Sequence, residues 1–152
     1  MNIVRRSFLK LAGGAGALAA VGLLRSAGAW AAGWSKAGFE SKAVSDVLKA
    51  LGATGAVDSK DIVITAPDIA ENGAVVPVEI TSRIPGTQSI SIIAEKNPFP
   101  LAATVDLANG SEPYTYVRIK MGDTSNVRAI VKAGGKFYTA AKEVKVTVGG
   151  CG

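Results

Sequence analysis

One cysteine and no histidine set the chemical repertoire of this 152-residue chain. Without imidazole there is no histidine general base, no Ser-His-Asp or Cys-His pair and no His-ligated metal. A single cysteine excludes intramolecular disulfides, CxxC redox pairs and Cys-based zinc or iron–sulfur centres. What is left is one thiol, Cys151, set in Val148-Gly149-Gly150-Cys151-Gly152. A structural cysteine packs among apolar neighbours, and glycines supply none. Glycine on both sides lets the backbone take positive φ and pass close to another surface. The residues after the last strand pattern extend about 13 Å, so they form a tether that presents a sulfur atom. With a reference pKa of about 8.5 and no histidine or second cysteine beside it, only a few per cent of such a thiol is thiolate at neutral pH. Lys145, on the strand below, is a weak substitute. Activation then falls to whichever active site receives the arm, which is the behaviour of a substrate carrier and not of an enzyme. No catalytic residue, metal or cofactor is expected.

The other chemical candidates are weaker. Asp58/Asp61 and Asp68/Glu71 lie beside turn residues and read as solvated or turn-forming carboxylates. The glycine-rich runs Ala12–Gly16 and Gly134-Gly135 lack the GxGxxG or GxxxxGK[ST] context that cradles phosphate. Tyr114, Tyr116, Phe137 and Tyr138 read as core or interface residues.

The elements that must position the thiol begin after an address label. Met1-Asn2-Ile3-Val4-Arg5-Arg6-Ser7-Phe8-Leu9-Lys10 is a basic head, followed by an apolar run from Leu11 to Leu24, then Arg25 and the cleavage patterns Ala27-Gly28-Ala29 or Ala29-Trp30-Ala31. The apolar run is too short to span roughly 30 Å of hydrocarbon. Arg5-Arg6 followed by Phe8-Leu9-Lys10 resembles the twin-arginine export motif, with Val4 where that motif carries Ser or Thr. Such a leader implies export of a folded protein to the periplasm. The whole chain has 17 Lys+Arg, 12 Asp+Glu and a net charge of +5. Loss of Arg5, Arg6, Lys10 and Arg25 leaves 13 basic residues against the same 12 acids, a charge of +1. The basic excess belongs to the leader, and nucleic-acid binding loses its compositional support.

In the remaining chain, Phe39, Ala43, Val44, Val47, Leu48 and Leu51 fall on one face of a helix between Trp34 and Gly52, with Glu40, Lys42, Ser45, Asp46 and Lys49 mostly opposite and Gly52 as the stop. From Ala53 the pattern alternates. Strands are expected near Asp61–Ala66, Val75–Thr81, Ser89–Ala94, Leu101–Leu107, Tyr114–Met121, Ser125–Lys132 and Phe137–Val148, the last divided near Ala140-Ala141. Leu101, Ala103, Val105 and Leu107 should share a face, as should Thr115, Val117 and Ile119, and Val144, Val146 and Val148. Pro77 implies an edge strand or a bulge. About seven short strands with regular turns predict an all-β, immunoglobulin-like sandwich, with a small barrel as the alternative. The expected layout is a signal peptide over 1–31, a helical segment over 32–52, the sandwich over 53–148 and a flexible carrier arm over 149–152.

Leader, small β domain and the Gly149-Gly150-Cys151-Gly152 arm together resemble the SoxY family, sulfur carriers of the thiosulfate-oxidising Sox system. The resemblance extends to Ala66-Pro67-Asp68-Ile69-Ala70-Glu71-Asn72-Gly73, Glu95-Lys96-Asn97-Pro98-Phe99-Pro100 and Ala133-Gly134-Gly135-Lys136-Phe137-Tyr138. It implies a heterodimer with SoxZ, a passenger in export. It also implies that thiosulfate is attached oxidatively to Cys151 by the haem enzyme SoxAX, that SoxB hydrolyses off sulfate, and that a sulfane dehydrogenase oxidises the remaining sulfur. Gly149, Gly150 and Gly152 would let the arm enter successive active sites.

Two other classes compete. An exported β-sandwich interaction protein with an incidental or dimerising Cys151 predicts a covalent dimer and no sulfur adducts. A ubiquitin-like sulfur carrier, suggested by Gly149-Gly150, needs a Gly-Gly carboxylate, which the following Cys151-Gly152 opposes.

Overall fold

The computed structural model describes residues 35–108 and 110–147. Two short helices, α1 (Lys36–Glu40) and α2 (Val44–Leu51), precede nine strands among the described residues. Five of the strands form most of the larger sheet: β1 (Val57–Asp58), β9 (Lys136–Val146), β8 (Ser125–Ala133), β5 (Thr87–Ala94) and β6 (Leu101–Asp106), in that order. β3 (Ile69–Ala70) also pairs with β9. The smaller sheet is β2 (Ile62–Thr65), β4 (Val76–Ser82) and β7 (Tyr114–Ile119), with β4 in the middle. The two sheets pack face to face in the expected immunoglobulin-like sandwich.

Alternation decides what lies between the sheets. Val76, Val78 and Ile80 of β4 meet Ile90 and Ile92 of β5 and Val127, Ala129 and Val131 of β8 in one buried cluster. Thr115, Val117 and Ile119 share the inner face of β7 as expected, each buried or partly so. The opposite face of the large sheet is covered too. There Ile93, Leu101 and Ile130 pack with Val47 of α2 and Ala53, and Phe39, Leu48, Leu51 and Phe137 close the rim. β5 and β8 are therefore buried on both faces, which accounts for the continuous apolar run Ile92-Ile93-Ala94.

Several expectations change against the structure. The single helix is two, because Ser41 is extended (φ −68°, ψ 139°) and Ala43 is an extended N-cap. Ser41 Oγ returns to the Ala37 carbonyl at 2.7 Å and closes the end of α1. Ala43, assigned from periodicity to the apolar face, is exposed. In a straight helix Phe39 would sit at the margin of the apolar stripe; the break turns it onto the sheet. Gly52 does end α2, at φ 71°. Pro77 lies in the central strand of its sheet, not at an edge, and opposite Arg118 of β7. It is tolerated because β2 ends at Thr65, opposite Glu79, so no strand continues beside Pro77 on that side.

β6 departs from simple alternation as well. Ala103 faces Ile92, but the pairing then slips, and Leu101 faces Ile93. The extra residue, Ala102, sends Leu101 to the helix side of the sheet and not to the face it was expected to share with Ala103. β9 runs unbroken through Ala140-Ala141, since β8 pairs with it from Lys136 to Val144. Pairing outweighs the weak strand preference of alanine. β8 and β9 are joined by Gly134-Gly135, both at positive φ (55° and 75°), the backbone a two-residue hairpin needs.

Candidate functional site

The arm residues Gly149, Gly150, Cys151 and Gly152, together with Val148 and the export motif Arg5-Arg6, lie outside the described residues. The described chain ends two residues before Gly149, at Thr147. β9 is bonded on both flanks as it finishes. Lys145 N–H donates to the Asp68 carbonyl at 3.0 Å and Thr147 N–H to the Ala70 carbonyl at 3.1 Å. Thr147 Oγ1 donates to the Glu71 carbonyl at 3.2 Å, and on the other side Val146 N–H donates to Thr124 Oγ1 at 2.9 Å. Three residues before Lys145, Lys142 Nζ reaches the Ala66 carbonyl at 2.6 Å and Asp68 Oδ1 at 3.0 Å. The segment Ala66–Glu71 is thus a clasp along the second half of β9. Asp68 holds a lysine, and Glu71 offers its backbone carbonyl. Asp58 and Asp61 are exposed.

Register places three loops around the same end of the sandwich. Residues 71–75 join β3 to β4 and are tied to residues 120–124 through Met121 N–H and the Gly73 carbonyl at 2.7 Å. Residues 95–100 join β5 to β6, and Ala94 pairs with Val127 two residues from Ser125, which faces Val144 of β9. The Asn97 amide bridges to the neighbouring loop. Its Nδ2 donates to the Lys120 carbonyl at 2.6 Å, and its Oδ1 accepts from Gly122 N–H at 3.1 Å. Glu95 Oε1 accepts from Arg128 Nε at 2.7 Å and its Oε2 from Asn126 Nδ2 at 3.1 Å. Lys96 N–H donates to Ser125 Oγ at 3.0 Å. The described part of β9 therefore ends at a braced rim. The only sequence signal for that brace is the turn-forming Asn97-Pro98 pair, which gives no hint of the partners Lys120 and Gly122.

Charge at this end is mixed: exposed Lys96, Lys120 and Lys145 are interspersed with exposed Glu71, Asp123 and Glu143. No group of three or more potential metal ligands occurs among the described residues. No described helix is long and apolar enough to cross a membrane. A cleft of about 550 Å³, lined by residues that include Arg83, Pro85, Thr87, Leu107 and Pro113, opens at the opposite end of the sandwich. β9 separates the two ends by roughly 36 Å, far beyond the arm's reach of about 13 Å. On the outer face of the small sheet, Tyr114 and Tyr116 are exposed, whereas Phe137 and Tyr138 pack against the two cores.

Comparison with known proteins agrees with this architecture. The solved structure of the sulfur carrier protein SoxY from Chlorobium limicola f thiosulfatophilum is 41% identical, with a TM-score of 0.59, over 68% of this chain and 96% of that one. A superoxide reductase (neelaredoxin) from Ignicoccus hospitalis matches at 20% identity and a TM-score of 0.50, over 56% of this chain and 79% of that one, a likeness of fold alone. No curated protein matches. The family model for the sulfur oxidation protein SoxY matches residues 47–151, a span that takes in α2 from Val47 onward, both sheets and the cysteine. The chain belongs to the SoxY family.

Proposed function

We propose that this protein is a sulfur-substrate carrier of periplasmic thiosulfate oxidation and holds covalent intermediates on the Cys151 thiol. The observation that carries this reading is that the family match runs to residue 151 and so includes the one cysteine of the chain. The braced end of β9 supports it: a tether delivers its tip reproducibly only if its root is fixed.

The chemistry balances without any catalytic group on the carrier. In the loading step the Cys151 thiol and thiosulfate form an S–S bond, RSH + S2O3²⁻ → RS–S–SO3⁻ + H⁺ + 2e⁻, with the electrons passing to the haem of SoxAX. Hydrolysis by SoxB then gives RS–S–SO3⁻ + H2O → RS–SH + HSO4⁻. The persulfide left on Cys151 is the substrate of a sulfane dehydrogenase. The carrier works as a heterodimer with SoxZ, is exported through the Arg5-Arg6 leader, and lends Gly149, Gly150 and Gly152 as the flexible part of the arm.

Intact-mass spectrometry of the mature heterodimer, incubated with thiosulfate and the partner enzymes, tests this. Reducible adducts should appear on Cys151 alone, and Cys151→Ala should abolish turnover with unchanged folding. An unmodified cysteine during turnover, or a covalent homodimer through Cys151 in its place, overturns the proposal.

A further inference from the structure

The two outer faces of the sandwich are finished differently. On the large sheet, Ile93, Leu101 and Ile130 are covered by the helical layer that holds Val47. Among the described residues no helix packs on the outer face of the small sheet. Ile62, Val78, Ile80 and Ile119 point from that sheet into the core, so the residues between them point outward. Register makes the outward residues one continuous surface. Val63 faces Thr81, which faces Tyr114; Thr65 faces Glu79, which faces Tyr116; and Pro77 faces Arg118.

A sheet face left in water ordinarily carries polar and charged side chains. This one presents two tyrosines, 39% and 50% exposed, and a recess of about 310 Å³ lined by Thr65, Ala66, Pro67, Pro77, Glu79 and Tyr116. Glu79 is the one acid of that lining and is half-buried. It takes part in none of the ion pairs found among the described residues. Its field is still felt: after the shielding of the ring, the Glu79 carboxylate is the largest cause that holds the Tyr114 phenol above 10.0. Arg118, diagonal to Glu79, is engaged by the Tyr116 phenol, which raises the guanidinium above its ordinary value. A half-buried carboxylate without a cation, beside tyrosine rings and two prolines, is the complement of a lysine or arginine. The carboxylate takes the charge, and the ring faces take the cation and its alkyl stem. Tyrosine and arginine are also the side chains that dominate the energetics of protein contacts.

Position selects the partner. Cys151 lies four residues beyond Thr147, and four extended residues cover about 13 Å. Enzymes that act on the sulfur in turn must therefore meet the end of β9. A subunit that stays bound through every step has to leave that end open. Helices occupy the outer face of the large sheet, which leaves the side of the sandwich formed by the small sheet. Resting on the heterodimer proposed above, we infer that the outer face of β2, β4 and β7 is the contact for the permanent second subunit, with Glu79, beside Tyr114 and Tyr116, receiving a lysine or arginine of that subunit.

The test is the dissociation constant of the mature heterodimer, measured by titration calorimetry at low and at physiological salt. Glu79→Gln should weaken the complex roughly thirtyfold and Tyr116→Ala roughly tenfold, each with the urea midpoint of the parent chain. The parent complex should weaken as salt rises, and Glu79→Gln should lose part of that dependence. Phe99→Ser, at an exposed residue of the 95–100 loop beside the end of β9, should leave the dissociation constant unchanged. Unchanged binding in both the Glu79 and Tyr116 variants, equal weakening by Phe99→Ser, or the same salt response in parent and Glu79→Gln overturns the assignment. So does self-association of the chain alone that Glu79→Gln and Tyr116→Ala abolish, which would give the face to a second copy. If the parent chain does not bind the second subunit at all, the heterodimer reading itself fails. Normal binding by the parent and by both variants defeats the docking face alone.

Discussion

Arg128 Nε donates to Glu95 Oε1 at 2.7 Å, joining the middle of the large sheet to the loop that carries Phe99. Both side chains are mostly shielded from water, and the second carboxylate oxygen is occupied by Asn126. Charge-assisted bonds in such surroundings contribute more than exposed ion pairs. Glu95→Ala should cost about 1–3 kcal/mol of stability, since it also leaves the guanidinium of Arg128 under-bonded. Urea denaturation checks this, and an unmoved midpoint would show that the pair is ornamental.

The Asn97 bridge should report on loop order more than on global stability. Its Oδ1 is the acceptor for Gly122 N–H. In Asn97→Ala that amide loses its partner, and hydrogen exchange at Gly122 should quicken markedly while amides in the centre of β8 keep their protection. Uniform exchange changes across both regions would instead mean that the whole domain had been weakened.

Ile93 tests whether the helices belong to the core. It is fully buried on the face of β5 turned toward α2, together with Val47 and Leu101. Ile93→Ala should cost about 2–5 kcal/mol through lost burial and the cavity left behind. Thermal and chemical unfolding of this variant should each remain a single transition. An effect below about 0.5 kcal/mol, typical of surface positions, would show that the helical layer contributes little.

Tyr114 should contribute to the loss of stability at alkaline pH. The partial burial of its ring and the Glu79 carboxylate, followed by Tyr116 and Glu112, hold its phenol above the ordinary value of 10.0. The folded protein therefore keeps a proton that the unfolded chain gives up. The contribution of Tyr114 to stability is constant below about pH 10 and declines as pH rises from there through the raised value. Tyr114→Phe should flatten that decline, which urea midpoints between about pH 8 and 11 would reveal. Parallel profiles for the two proteins would remove Tyr114 as the cause.

The cysteine, the absent histidines and the alternating strands are local facts, readable because composition and a two-residue period survive without knowledge of the fold. They suffice to predict a sandwich and to single out Cys151 as the candidate working atom. Less was legible where a partner distant in sequence decides the outcome. The break at Ser41–Ala43 depends on where the sheet lies beneath Phe39, and the slip at Ala102 on what faces Leu101. β1 and β3, two residues each, are too short to show any period and exist only because β9 offers them an edge.

The same division runs through the site. From sequence alone come the thiol, its glycines and the reach of the arm, since these depend on bond lengths and residue types. Tertiary structure alone decides that β9 ends, at Thr147, in a braced rim, because its ties join Thr147 to Ala70, Glu95 to Arg128 and Asn97 to Lys120. Hydrogen bonds between residues so far apart in the chain leave no local pattern. They form only when the sheets have brought their ends together.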